Sequence, residues 1–110
     1  MQAIQFLEKK GFVILERNVR NHCGELDIIA QDDDTLCFIE VRTRTSDDEG
    51  HPFETITPVK KQKIIRTAIS YLQENGDLDV KARFDVVAVI PTADGRYVVE
   101  IIKNAFEVNG

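Results

Sequence analysis

The chain has 110 residues, with 14 Lys and Arg against 19 Asp and Glu, a formal net charge of −5, 43% hydrophobic and 30% charged residues. That length suits one domain able to bury roughly 65% of its unfolded surface around a single core, and no apolar run approaches the ~20 residues needed to cross a bilayer. The acidic balance excludes a protein that coats nucleic acid by bulk charge, but not an enzyme that reads phosphates through a local basic patch. The N-terminal ten residues are amphipathic and carry neither the apolar stretch nor the cleavage site of a signal peptide, so a cytoplasmic location without membrane partners is expected. The two cysteines, Cys23 and Cys37, make no disulfide framework.

Residues 2–10 predict a short helix with Ala3, Phe6, Leu7 and Lys10 along one side and Gly11 at its stop. No Ser, Thr, Asp or Asn precedes it as a cap, so the chain is expected to begin inside a helix truncated at its N-terminus. Phe12–Arg17 predicts a strand, followed by a polar stretch, Asn18–Gly24. Glu25–Gln31 predicts a second strand, Asp32-Asp33-Asp34 a hairpin turn and Leu36–Thr43 a third strand. The near-continuous apolar character of the second and third strands implies that both faces are covered.

Residues 44–57 form a long polar loop, of a length common in lids and binding segments. Thr57 and Pro58 then open a helix as cap and first residue. Ile64, Ile65, Ala68, Ile69 and Leu72 make its apolar face, Lys60, Lys63 and Thr67 lie on another, and Asn75-Gly76 ends it. Arg83–Ile90 predicts a buried strand stopped by Pro91, and Tyr97–Ile102 a last strand. The order α-β-β-β-α-β-β predicts an α/β domain, 1–110, with a single mixed sheet of about five strands flanked by helices.

Two carboxylates carry the chemistry. Asp27 and Glu40 stand in the middle of the second and third strands among Leu, Ile, Val and Phe. Burying a carboxylate there is costly unless it is paired or bound to a cation. Alternation puts Glu25 with Asp27 on one face and Glu40 with Arg42 on one face. Converging carboxylates, with a main-chain carbonyl nearby, make an oxygen-rich site suited to Mg²⁺ or Mn²⁺. Such an ion activates water and neutralises the charge developing on a phosphodiester, and Arg42 adds a fixed positive charge beside it. The plainer alternative, of equal weight on spacing alone, pairs Asp27 and Glu40 with Arg42 or Arg44 as structural ion pairs.

Gly24-Glu25-Leu26-Asp27-Ile28-Ile29-Ala30 followed by Phe38-Ile39-Glu40-Val41-Arg42-Thr43-Arg44 resembles the bacterial YraN-type proteins of the restriction-endonuclease-like PD-(D/E)xK superfamily. Thr57-Pro58 with Lys60-Lys61-Gln62-Lys63, Ala68 to Tyr71-Leu72, and Arg83-Phe84-Asp85-Val86-Val87 extend the resemblance over essentially the whole chain. It implies a metal-dependent nuclease core related to archaeal Holliday-junction resolvases. The superfamily's Asp falls on Asp27 and its (D/E)xK triplet on Glu40-Val41-Arg42, giving metal-binding carboxylates at Asp27 and Glu40, with Glu25 assisting. Gln62 and Lys63 fall on the helix that often adds a polar residue to such sites. The third triplet residue is Arg where the superfamily pattern has Lys. An arginine cannot accept a proton from water, so Arg42 orients and stabilises and any base role passes to a carboxylate or to the metal site. The helix-one Glu of the family would fall just before Met1, which agrees with a truncated first helix.

Six of the 14 basic residues lie between Arg42 and Arg66: Arg42, Arg44, Lys60, Lys61, Lys63 and Arg66. With Gln62, this local patch is the expected contact for DNA phosphates; its alternative is a solvated helix face. With no Trp and two Tyr, recognition by shape or branch structure fits better than base stacking, so branched or single-stranded DNA are the candidate substrates. His22, Cys23, Cys37 and His51 match no zinc-ligand spacing. Asp85 pairs more readily with Arg83 than with the site, and the loop acids around His51 are expected to be solvated. The expected function is a Mg²⁺- or Mn²⁺-dependent DNA endonuclease, with a homodimer open by analogy to the resolvases. A non-catalytic nucleic-acid- or protein-binding module on the same fold, and a purely structural domain, are the alternatives.

Overall fold

The structure is a computed structural model that describes residues 2–43, 56–76 and 79–107. Its elements are α1 (Gln2–Lys9), β1 (Val13–Asn21), β2 (Gly24–Asp32), β3 (Thr35–Thr43), α2 (Pro58–Glu74), β4 (Ala82–Pro91) and β5 (Tyr97–Phe106). The five strands form one sheet in sequence order, antiparallel except for the β3–β4 pair, which is parallel. A parallel neighbour needs a long crossover, and α2 lies within it. This is the mixed α/β sheet that the element order predicts.

Each helix covers one face of the sheet, which explains the unbroken apolar runs of the central strands. On one side Ala3 and Leu7 of α1 pack with Phe12, Ile28, Ala30, Cys37, Ile39, Val87 and Val89. On the other, Ile64, Ile65, Ala68 and Leu72 of α2 pack with Leu26, Ile29, Phe38, Phe84 and Val86. Phe84 stands between Phe38 and Phe106, with ring centroids 5.6 and 5.1 Å away. The start of α2 follows its sequence signal: the Thr57 side chain accepts the backbone N–H of Lys60, and Pro58 takes the first turn, where no N–H is needed. Among the described residues no helix is long and apolar enough to cross a membrane.

Four expectations are corrected. β1 runs on to Asn21 through what the composition marks as a polar stretch, because Val19, Arg20 and Asn21 pair with Leu26, Glu25 and Gly24. β5 runs past Ile102 to Phe106, where Phe106 reaches Phe84 across a register shift. Ile69, assigned to the apolar face of α2, is 37% exposed, whereas Thr67, assigned to the polar face, is fully buried. The β1–β2 hairpin tip lies on Thr67: Asn21 Nδ2 donates to its carbonyl at 3.1 Å, and a Cβ added to Gly24 would meet its Oγ1 at 2.9 Å. The remaining difference lies in β2. Strict alternation would group Leu26 with Ile28, but Leu26 joins Ile29 on the α2 side. The slip falls at Asp27, across from Asn18, which adopts a φ of 53°. Of the long polar loop, residues 44–55 lie outside the described residues.

Candidate metal centre

The β2–β3 ladder runs from Asp32↔Thr35 to Ile28↔Ile39 and stops there. Asp27 and Glu40 are the next residue on each strand. Beyond that point β2 stays paired to β1 through Leu26, Glu25 and Gly24, while β3 stays paired to β4 through Glu40, Val41 and Arg42. The sheet therefore splits at the acidic pair. Asp27 Oδ2 accepts the backbone N–H of Val41 at 2.8 Å, so a side chain replaces the missing ladder acceptor. The split opens a cleft of about 600 Å³ whose walls are the hairpin tip from Arg20 to Glu25, the two carboxylates, and Lys60, Lys63 and Ile64 of α2.

Electrostatics mark Glu40 as the strained member. Its side chain is 10% exposed, with Lys60 Nζ 3.2 Å and Arg42 Nη1 4.0 Å from its Oε1. Burial, and after it the negative charge of Asp27, push the Glu40 carboxyl above the usual carboxylate range, while Lys60 pulls it back. Two carboxylates close enough to repel in a polar cleft fit a divalent ion of the Mg²⁺ class, which takes one or two carboxylates and keeps several waters. Among the described residues no group of three or more His, Cys, Asp or Glu side chains is placed to hold a metal. An ion here would have to be held by the Asp27–Glu40 pair, with its further positions filled from outside the protein.

The other predicted site residues divide into three groups. Glu25 lines the cleft but is exposed and held by Arg20, 2.6 Å away, rather than gathered with the acidic pair. Lys60 and Lys63 face the cleft, whereas Lys61 and Gln62 lie on the other flank of α2, in a hollow shared with Phe106 and Asn104. Arg44 and His51 lie outside the described residues. Asp85 is fully buried on the opposite side of the sheet, beside Cys37, and is bound to Arg83 at 2.8 Å, as the plainer reading of its sequence has it. Burial there pushes the Cys37 thiol up to about 12, which removes it as a nucleophile. Sequence reasoning missed Arg20, Asn21, His22 and Cys23 as cleft wall; the sequence marks them only as a polar stretch, and the β1–β2 pairing that places them is visible in the structure alone.

Residues 1–89 match the uncharacterised protein family UPF0102. The chain belongs to this family. A UPF0102 protein of Chlorobium phaeobacteroides (strain BS1) is 48% identical over 109 residues, covering 94% of this chain and 86% of its own. A UPF0102 protein of Chlorobaculum parvum is 49% identical over 111 residues, covering 96% and 86%. One of Desulforapulum autotrophicum is 44% identical over 107 residues, covering 97% and 88%. UPF0102 is the family of the YraN-type proteins that the Gly-Glu-Leu-Asp and Glu-Val-Arg-Thr-Arg segments resemble, and in this member those two segments form the edges of the split.

Proposed function

We propose that this UPF0102 protein is a Mg²⁺- or Mn²⁺-dependent endonuclease that hydrolyses phosphodiester bonds in DNA, with branched or single-stranded DNA as the substrates to examine first. The observation that carries the reading is the junction of Asp27 and Glu40 where β2 leaves β3, with two lysines of α2 lining the same cleft. Asp27 and Glu40 would hold the ion. When bound, a divalent ion there supplies Lewis acidity to a phosphodiester and makes a water more acidic. The protein's own residues do the remaining work. The Val41 N–H, donating to Oδ2, orients the Asp27 carboxylate beside Glu40. Arg42, always charged, stabilises the crowded phosphate without exchanging a proton. Lys63 neutralises phosphate on the α2 wall, and Lys61 and Gln62 extend the contact around the helix. A DNA substrate agrees with a cytoplasmic location.

One observation favours a second reading. Glu40 already has a cation, Lys60, so the same cleft serves a non-catalytic module that binds nucleic acid by charge alone. Cleavage of duplex, single-stranded and four-way-junction DNA with and without Mn²⁺ separates the two. The endonuclease reading expects divalent-dependent cleavage that Asp27→Ala and Glu40→Ala each abolish. Salt-dependent binding without cleavage, indifferent to both changes but lost with Lys60, Lys61 and Lys63, supports the module and sinks the enzyme.

A further inference from the structure

Lys60 sits in the first turn of α2, its backbone N–H fixed by the Thr57 side chain at 3.2 Å. The root of the side chain is therefore set by the helix cap, and only its four-carbon stem can move. Its Nζ lies 3.2 Å from Glu40 Oε1, closer than the Arg42 guanidinium at 4.0 Å, and the Lys60 side chain is 40% exposed against 10% for Glu40. The two cations differ in kind. Arg42 is a planar fork on the same strand as Glu40, whereas Lys60 carries a compact ammonium on a flexible arm from another element. The acidic pair is repulsive and half-enclosed, and a cation beside it offsets that repulsion whenever both members are ionised. An ammonium and a divalent ion would both do so, and they would compete for the Glu40 carboxylate.

We propose that Lys60 is a built-in counter-cation of the Asp27–Glu40 pair: it holds the pair together when no metal is bound, an incoming divalent ion displaces it from Glu40, and its freed ammonium then turns to a phosphate in the cleft. This rests on the metal-centre reading above. It makes Lys60 different from Lys63, which also faces the cleft but has no ion pair with either carboxylate among the described contacts. Lys60 thus weakens metal binding by the free protein and strengthens nucleic-acid binding by the metal-loaded one. The site is pre-formed without metal, and metal and DNA bind with positive coupling, because the ammonium that the ion expels becomes a new phosphate contact.

The test needs no turnover. Mn²⁺ is titrated calorimetrically into the full chain, without DNA, for the wild type, Lys60→Met, which keeps the stem and removes the charge, and Lys60→Arg. Lys60→Met is expected to bind Mn²⁺ about 3- to 10-fold more tightly than wild type, and Lys60→Arg within about 2-fold of it. With Ca²⁺ in place of Mn²⁺, Lys60→Met is expected to bind four-way-junction DNA about 3- to 10-fold more weakly. Detectable Mn²⁺ binding by Lys60→Met where the wild type shows none also supports the proposal. Equal or weaker Mn²⁺ binding by Lys60→Met, with the wild type binding, overturns the counter-cation and leaves the metal centre standing. Unchanged DNA affinity overturns the release of the ammonium to phosphate. If neither protein binds Mn²⁺, the metal centre falls and this role with it. Should Lys60→Met fail to fold, Lys60→Gln carries the same titration.

Discussion

Asp27 holds the Val41 N–H on its Oδ2 at 2.8 Å, and this single bond joins β2 to β3 one residue beyond their last ladder pair. Asp27 thus has two roles: it closes the end of the ladder and sets a charge beside Glu40. Substitution separates them. Asp27→Asn keeps an oxygen for the Val41 N–H but removes the charge, so the fold should lose less than about 1 kcal/mol, while Asp27→Ala strands the donor and should lose about 1.5–3 kcal/mol. Urea denaturation reads the difference. Both variants should lose any Mn²⁺-induced rise in melting temperature, because each removes the Asp27 carboxylate from the proposed metal site.

The pH dependence of stability follows from Glu40. Its carboxyl titrates above the ordinary carboxylate value of 4.5 in the folded protein, chiefly because it is buried and next because Asp27 is negative. The folded state therefore holds that proton more tightly than the unfolded chain, and stability falls as pH rises from 4.5 through the raised value. Above that value the full cost of an ionised Glu40 is present. Glu40→Gln removes the titration, so the variant should be more stable than wild type near neutral pH, and their difference should shrink as pH falls toward 4.5. Denaturation midpoints across that range check it; a variant less stable at neutral pH would mean that the Lys60 ion pair outweighs the burial and repulsion.

Gly24 fixes the cleft wall. It adopts a φ of +153°, and a Cβ there would meet Thr67 Oγ1 at 2.9 Å and Lys63 Cε at 3.3 Å. The lysine can move; Thr67 is buried, with its hydroxyl donating to the Lys63 carbonyl at 2.7 Å, and cannot. Gly24→Ala should therefore lift the hairpin from α2 and destabilise the protein by about 1–3 kcal/mol. Adding Thr67→Ala removes the clash but not the backbone strain, so a double-mutant cycle by thermal denaturation should show partial rescue. Strict additivity would locate the cost in the backbone alone.

Periodicity made the architecture legible wherever one residue type dominated a face. The Thr57-Pro58 cap, the apolar runs of β2 and β3 and the Pro91 stop all appear where their chemistry puts them. Residues whose environment is set by a distant element were not legible. Thr67 looks polar in the helix pattern but is buried because Gly24 lets a hairpin lie on it. Ile69 looks like core but faces away from the sheet. The acidic pair was legible as two carboxylates in two strands; that the ladder ends between them was not, because a split needs the competing pairing of β2 with β1 and of β3 with β4. Lys60 was legible as a basic helix residue, and only its reach across to Glu40 gave it a partner.

The other buried carboxylate tests whether the cleft and the core are independent. Asp85 is fully buried, receives two hydrogen bonds from Arg83, at 2.8 and 2.9 Å, and accepts the Asn104 N–H at 2.9 Å, pinning β5 where its pairing with β4 shifts. Arg83 also reaches Asp32 at 2.9 Å and stands over the Phe12 ring, so the knot ties β2, β4 and the segment after α1. Those hydrogen bonds, Asp85's first, hold the Arg83 guanidinium above its ordinary value. Asp85→Ala leaves a poorly solvated cation and an orphaned N–H, so it should cost about 3–5 kcal/mol. Replacing both members, Arg83→Met with Asp85→Leu, should recover much of that loss, because an apolar pair of similar volume needs no desolvation of charge, although the Asn104 N–H stays unpaired. Since the knot lies on the α1 face and the acidic pair opens toward α2, folded Asp85 variants should bind Mn²⁺ as the wild type does. A loss of Mn²⁺ binding without unfolding would show that the sheet couples its two faces, with β4, which carries Asp85 next to β3, as the connecting element.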